Sequence, residues 1–108
     1  MATNYIQPGE VMDVTAGANL ASGAGVLVGK RLGVALGALA SGETGSVQVS
    51  GVWELPKLST DVVTQGALLY WDDTNKRLTV TSTDNTLAGY AFAAAGNGAT
   101  TVKIKLNA

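Results

Sequence analysis

Asp72 and Asp73 stand side by side in LLYWDDTNKRLTV, residues 68–80, among Tyr70, Trp71, Lys76 and Arg77. Two carboxylates this close suit a general acid and base pair or a calcium loop, and the aromatic rings beside them suit a ledge for stacking a sugar. The spacing fits none of these well. Neighbouring residues of a strand or turn point apart, which separates the two carboxylates. A calcium loop sets acids at alternate positions around a central glycine, and that pattern is absent. Asp and Asn accept local backbone hydrogen bonds and tolerate turn dihedrals, so DDTN reads as the turn of a hairpin between ALLYW (67–71) and KRLTV (76–80). As solvated turn residues, both aspartates are expected to matter little for stability. Tyr70, Trp71 and Trp53 read as aromatics of a core or subunit interface.

GAGVLVGKR (23–31) invites comparison with a phosphate loop. That loop needs four residues between its first Gly and the Gly-Lys pair, followed by Ser or Thr. Gly25 to Gly29 encloses three, Gly23 to Gly29 encloses five, and Arg31 stands where the hydroxyl belongs. The stretch reads as a strand and turn, and no nucleotide site is expected. The chain has no histidine and no cysteine. A Ser-His-Asp site, thiolate catalysis and Cys- or His-ligated zinc are thereby excluded. The expectation is a protein without catalytic residues, cofactor or metal.

Elements must position whatever does act. The 108 residues are expected to form one domain, burying roughly 65% of the surface the unfolded chain exposes. Apolar residues make up 46%, yet aromatics are only 6% and there are 14 glycines, so the core is built from small and aliphatic side chains. A net charge of −1 offers no basic stripe, and neither nucleic acid nor an anionic membrane is expected as a partner. MATNYIQPGE lacks the basic start and apolar stretch of a secretory leader, and GVALGALA is too short to span a bilayer. A soluble chain made inside the cell is the expectation.

Residues 1–9 read as a polar N-terminal arm ending in Pro8-Gly9, and residues 10–108 as a single β domain. EVMDV (10–14) and VLVG (26–29) read as strands, while LGVALGALA (32–40) fits helix or strand, its glycines counting against helix. From Val47 the period is two: Val47, Val49, Gly51, Trp53 and Leu55 fall on one face, with Val52 the one exception on the other, predicting one strand up to Pro56. LSTDVVTQG (58–66) is predicted to be one short helix, capped by Ser59 or Thr60 and ended by Gly66. Leu78 and Val80 are expected inward, with Arg77 and Thr79 outward. TLAGYAFAAA (86–95) reads as a strand around Tyr90 and Phe92. TTVKIKL (100–106) alternates, with Val102, Ile104 and Leu106 inward. Two stretches, 22–55 and 65–108, resemble each other as a pseudo-repeat with one gap. The predicted fold is all-β: a small barrel or sandwich of roughly seven or eight short antiparallel strands, one short helix and an extended arm. Several strands are apolar on both faces, which predicts cover by another subunit. Tyr70, Ala91, Ala93 and Ala95 are the interface candidates.

GVLVGKRLGVAL, SGVWELPK, QGALLYWDD with LTVT, and the closing VKIKL together resemble the tailed-phage capsid cement, or head decoration, family. The resemblance runs from YIQPGEVMDV to IKLNA. It implies a non-enzymatic protein that binds the outer surface of a phage head and stabilises it against the pressure of packaged DNA. It implies the major capsid protein as partner, a homotrimer, and a location on the virion after assembly in the host cytoplasm. It also implies that the arm residues Thr3, Asn4, Tyr5, Ile6, Gln7 and Pro8 engage neighbouring capsid protein. The family supplies no catalytic, cofactor or small-molecule residues to carry over. The alternative is a carbohydrate- or receptor-binding β module with Tyr70 and Trp71 exposed, and a further one is an accessory domain awaiting a partner chain.

Overall fold

The computed structural model describes residues 9–107. The arm, apart from Gly9, therefore lies outside the described residues, as do its candidate contacts Thr3 to Pro8. Among the described residues nine strands follow in order: β1 (Val11–Thr15), β2 (Gly25–Val28), β3 (Arg31–Ala35), β4 (Thr44–Gln48), β5 (Val52–Pro56), β6 (Leu68–Asp72), β7 (Arg77–Thr79), β8 (Thr86–Ala91) and β9 (Thr101–Leu106). They form two antiparallel sheets, of order β1-β4-β3-β2 and β5-β9-β8-β6-β7. The second sheet curls until Lys57, just past β5, bridges Leu78 in β7, but neither sheet closes into a barrel.

The two sheets share a wiring pattern. In each, an end strand (β1 or β5) lies beside the last strand of a three-strand meander (β2-β3-β4 or β6-β8-β9), and β7 is added only to the second. The connecting loops match bond for bond. Leu20 and Leu39 exchange both backbone hydrogen bonds, as do Val63 and Ala95. Gly23 N donates to Ala35 O and Gly66 N to Ala91 O, both at 2.8 Å. These two glycines share a positive φ, 84° and 85°, where a Cβ would be strained. β5 belongs to the second sheet, although the stretch 22–55 contains it, and β1 completes the first.

The core lies between the sheets. Leu32 and Val34 of β3 meet Leu55, Leu69, Trp71, Leu78, Ile104 and Leu106. Burying apolar side chains of this size contributes about 1.5–3 kcal/mol each. Asn107 ties the layers together. Its Nδ2 donates to Leu32 O (2.9 Å) and Val49 O (2.8 Å), while its backbone N donates to Ala88 O (2.7 Å). Its φ of 53° suits Asn or Gly. Asn107→Gly keeps the backbone and leaves two carbonyls without that donor, so urea unfolding should show a loss of about 1–3 kcal/mol. Asn107→Asp turns a carboxylate on those carbonyls and should lose more. Equal stability of Asp and Asn at this position would sink this account of the tie.

Several sequence expectations are corrected. The predicted strand through Val47 and Leu55 is two strands in different sheets, because the chain swings over at Val49–Gly51, where Gly51 takes φ 92°. Alternation survives the crossing, so periodicity alone could not reveal it. Val47 and Leu55 are buried, Val49 and Trp53 half-buried, and Val52 faces outward. No helix forms at 58–66. Turns occupy the segment, Val63 bridges Ala95, and Lys57 Nζ donates to Leu58 O (2.8 Å) and Asp61 O (2.7 Å). Gly66 does take the positive φ its predicted place required, but in a turn before β6 rather than at a helix end. Residues 32–40 resolve as β3 to Ala35 and then a loop. Thr79 and Val80 exchange their expected places. The Asp61 carboxylate accepts from Thr79 Oγ1 (2.6 Å) and Val80 N (3.1 Å), sealing Thr79 under the 57–63 loop and leaving Val80 40% exposed.

Candidate functional site

The β6–β7 hairpin holds the two aspartates in structural tasks. Asp72 Oδ1 accepts from Thr74 N (3.1 Å) and Asn75 N (3.2 Å), and Oδ2 accepts from Asn75 Nδ2 (2.8 Å). This is an Asx-type turn built by the side chain. Asp73 Oδ1 accepts from Lys76 Nζ (2.7 Å) and from the Trp71 indole (3.1 Å). The Asp73–Lys76 pair is solvent-exposed, so it contributes at most about 1 kcal/mol. Among the described residues no three Asp or Glu side chains gather as a metal site would require.

These hydrogen bonds stabilise the ionised carboxylates. The Asn75 side chain and then its backbone hold Asp72 below its ordinary value of 3.8. The Lys76 hydrogen bond, opposed in part by burial and aided by the Trp71 indole, holds Asp73 below the same value. Depressed pKa values mean that the turn's contribution is present above the unfolded-state pKa of about 3.9 and is lost as pH falls through the folded values. Carboxyl NMR titration should place both midpoints below 3.8, with Thr74 and Asn75 amides losing protection only in that acid range. Midpoints at or above the ordinary value would refute the turn account.

The phosphate-loop comparison ends in the β2–β3 hairpin. Val28 pairs with Arg31 around the turn Gly29-Lys30, with Gly29 at φ 60°. Residues of a cradle for an anion are here spent on a ladder. Lys57 is buried, but its ammonium is engaged by the Leu58 and Asp61 carbonyls, which closes a loop rather than arming a nucleophile. Trp71 is only 1% exposed, so it forms no stacking ledge with Tyr70, and the exposed pair that a sugar-binding module would need does not exist. Trp71 lines a groove of ≈ 590 Å³ between the loop preceding β2 and the β6–β7 turn.

What the second sheet does present is an apolar outer face. Cross-strand pairs align Val52 of β5, Lys105 of β9, Tyr90 of β8 and Leu68 of β6 in one row. Trp53, Ile104 and Ala91 form the next row, turned to the opposite face, where Ile104 and Ala91 are buried in the core. Leu87 pairs with Tyr70 further along, Phe92 follows β8, and Glu54 opposes Lys103. Val52, Leu68 and Phe92 are 42%, 54% and 49% exposed. A shallow hollow of ≈ 560 Å³ lies among Val52, Glu54, Phe92 and Lys103. Glu54 and Lys103 flank that hollow and Lys105 stands in the row of Val52, so the face is apolar at Val52, Leu68, Leu87 and Phe92 with charged residues among them. It suits contact with a broad protein surface rather than a small ligand.

Of the interface candidates, Tyr70 is half-buried and borders this face, while Ala93 and Ala95 are half-buried. Ala91 is wholly buried in the chain's own core. The exposed members Val52, Leu68, Leu87 and Phe92 were not singled out from sequence. Their signal was there: strands apolar at both parities must turn one apolar side outward.

No curated protein matches the chain, and no solved structure does. A family model does, over nearly its whole length. A two-sheet β protein carrying an apolar outer face agrees with that match: the phage cement protein family's model covers residues 6–106, and the chain belongs to that family.

Proposed function

We propose that the chain is a structural decoration protein that binds the outer surface of a phage head through the major capsid protein and stabilises the shell. The observation that carries the proposal is the cement-family match across residues 6–106. The apolar outer face of the second sheet supports it, since a shell-binding protein needs surface to bury. In this proposal the protein works as a homotrimer. Copies cover one another's surplus apolar surface around Tyr70 and Ala93, with Leu68 and Phe92 beside them, and the trimer bridges capsid joints. The arm residues Thr3 to Pro8 reach a neighbouring capsid subunit, and several arms on one trimer act by avidity.

Electron microscopy and heat challenge of heads prepared with and without the chain test the proposal. Density on the outer surface and a higher disruption temperature should appear only when it is present. Indistinguishable heads would remove the function. Deletion of residues 2–8 should leave the melting temperature unchanged and weaken head binding at least about tenfold, the gain expected of linked contacts. Unchanged binding would make the arm idle. Sedimentation should give three copies per particle.

A further inference from the structure

β2 is an end strand of the four-stranded sheet, paired on one side only, with β3. Ala24 O accepts from Ala35 N at 2.9 Å, which sets the parity of the ladder. Backbone groups alternate sides along an antiparallel strand, so Val26 and Val28 turn their N–H and C=O toward β3. Gly25 and Leu27 turn theirs to the open side, where no described residue meets them. The strand in the matching place of the second sheet is β6, and there the same side is covered: Tyr70, Trp71 and Asp72 pair with Thr79, Leu78 and Arg77 of β7. Exposed sheet edges are normally blunted by a charge, a proline or a bulge. Gly25-Val26-Leu27-Val28 has none of these. A groove of ≈ 590 Å³ lies beside it, lined by Gly17 to Ala21, Gly23 to Leu27, Pro56, Trp71, Asp73 and Lys76, and a further hollow of ≈ 420 Å³ lies between Val26 to Gly29 and Asp13 to Gly17.

We propose that the open edge of β2 receives an extended segment of the capsid protein as an added strand, an interaction that rests on the head-binding function above. Main-chain bonds to Gly25 and Leu27 would hold the segment, and the groove would take its apolar side chains. Charge indicates one further feature. Lys30, in the β2–β3 turn, and Arg31, the first residue of β3, are exposed and make no ion pair among the described residues. The incoming strand therefore carries an acidic residue at that end. A second copy of β2 fits worse. Antiparallel self-pairing sets Lys30 and Arg31 against the partner's Ser22-Gly23 region, which has no acid.

The test is amide exchange on the free chain and on the chain bound to heads of its own phage grown without it. Gly25 and Leu27 amides should exchange rapidly when free and at least about tenfold more slowly when bound, while Val26 and Val28 stay slow in both states. The double variant Lys30→Glu, Arg31→Glu should keep its melting temperature and bind heads at least about tenfold more weakly. Bound chain whose Gly25 and Leu27 amides exchange as fast as in the free chain overturns the β2 proposal and leaves head binding standing. Double-variant binding equal to that of the parent overturns the acidic-strand assignment. Failure of the chain to bind heads at all overturns the function and, with it, this site.

Discussion

Gly89→Ala should abolish folding, or nearly so. Gly89 sits in β8 with φ 153°, opposite Leu106 of β9, and a Cβ there would lie 2.0 Å from Lys105 O, 3.0 Å from Lys105 C and 3.2 Å from Asn107 N. All three obstacles are backbone atoms of β9 or of Asn107 just past its end, so no rotamer change relieves them. The β6–β8 register also shifts at this point, between Leu69 and Tyr70. Relief would have to come from parting β8 and β9 at the centre of the second sheet. The expected loss exceeds about 3 kcal/mol, a large share of the roughly 5–15 kcal/mol that holds a domain folded. Far-UV circular dichroism and urea unfolding measure it. Gly96→Ala is the control: nothing lies within 4 Å of its would-be Cβ and its φ is ordinary, so its stability should stay within about 0.5 kcal/mol of the parent. A Gly89→Ala protein that unfolds at the parental midpoint would show the β8–β9 pairing to be wrong.

The second large effect is expected at Trp71. Its ring is the largest fully buried side chain, and it lies under β2 so closely that a Cβ on Gly25 would fall 2.7 Å from its Cη2. β6 supplies the ring and β2 the glycine that makes room for it, so one contact couples the two sheets. Trp71→Ala should cost about 3–5 kcal/mol, through lost transfer energy and a cavity that both sheets would have to move to fill. Trp53→Ala should cost less, because Trp53 is only half-buried and its indole donates to Ser50 O in the crossing between β4 and β5. Guanidinium or urea unfolding of the two variants ranks them. A larger loss at Trp53 would mean that the core is centred elsewhere.

The contrast between the two tryptophans shows where sequence-level inference reaches its limit. Trp53 was expected inward from a clean alternation, and it does lie on the inner parity of β5. Trp71 sits in ALLYW, which is apolar at every position, so no alternation marked a side for it. Which apolar side of such a strand is covered depends on where the other sheet lies. That is settled by residues far away in the chain, Gly25 and Leu32 among them. The 58–66 segment failed for a related reason. Its cap-like Ser59 and Thr60 and its closing Gly66 are local helix signals, but Val63 gains more by bridging Ala95 and filling the core than a nine-residue helix gains by itself. The buried Thr79 was equally out of reach, because its partner Asp61 lies 18 residues away in sequence.

Some properties needed only the order of residues. The lack of histidine and cysteine removes whole classes of chemistry by composition. DDTN makes a turn because Asp72 bonds the backbone two and three residues on, which is local physics. Val102, Ile104 and Leu106 share a face because a strand repeats every two residues, and all three are buried. Tertiary structure alone determined the crossing at Gly51, since alternation is the same whether a strand continues or changes sheets. It alone left the β2 edge open among the described residues while β7 covers β6, because pairing is a relation between strands and no strand carries it in its own sequence. It alone made an outer face of Val52, Leu68 and Phe92, because exposure depends on what stands opposite, and the opposite surface belongs to another part of the chain.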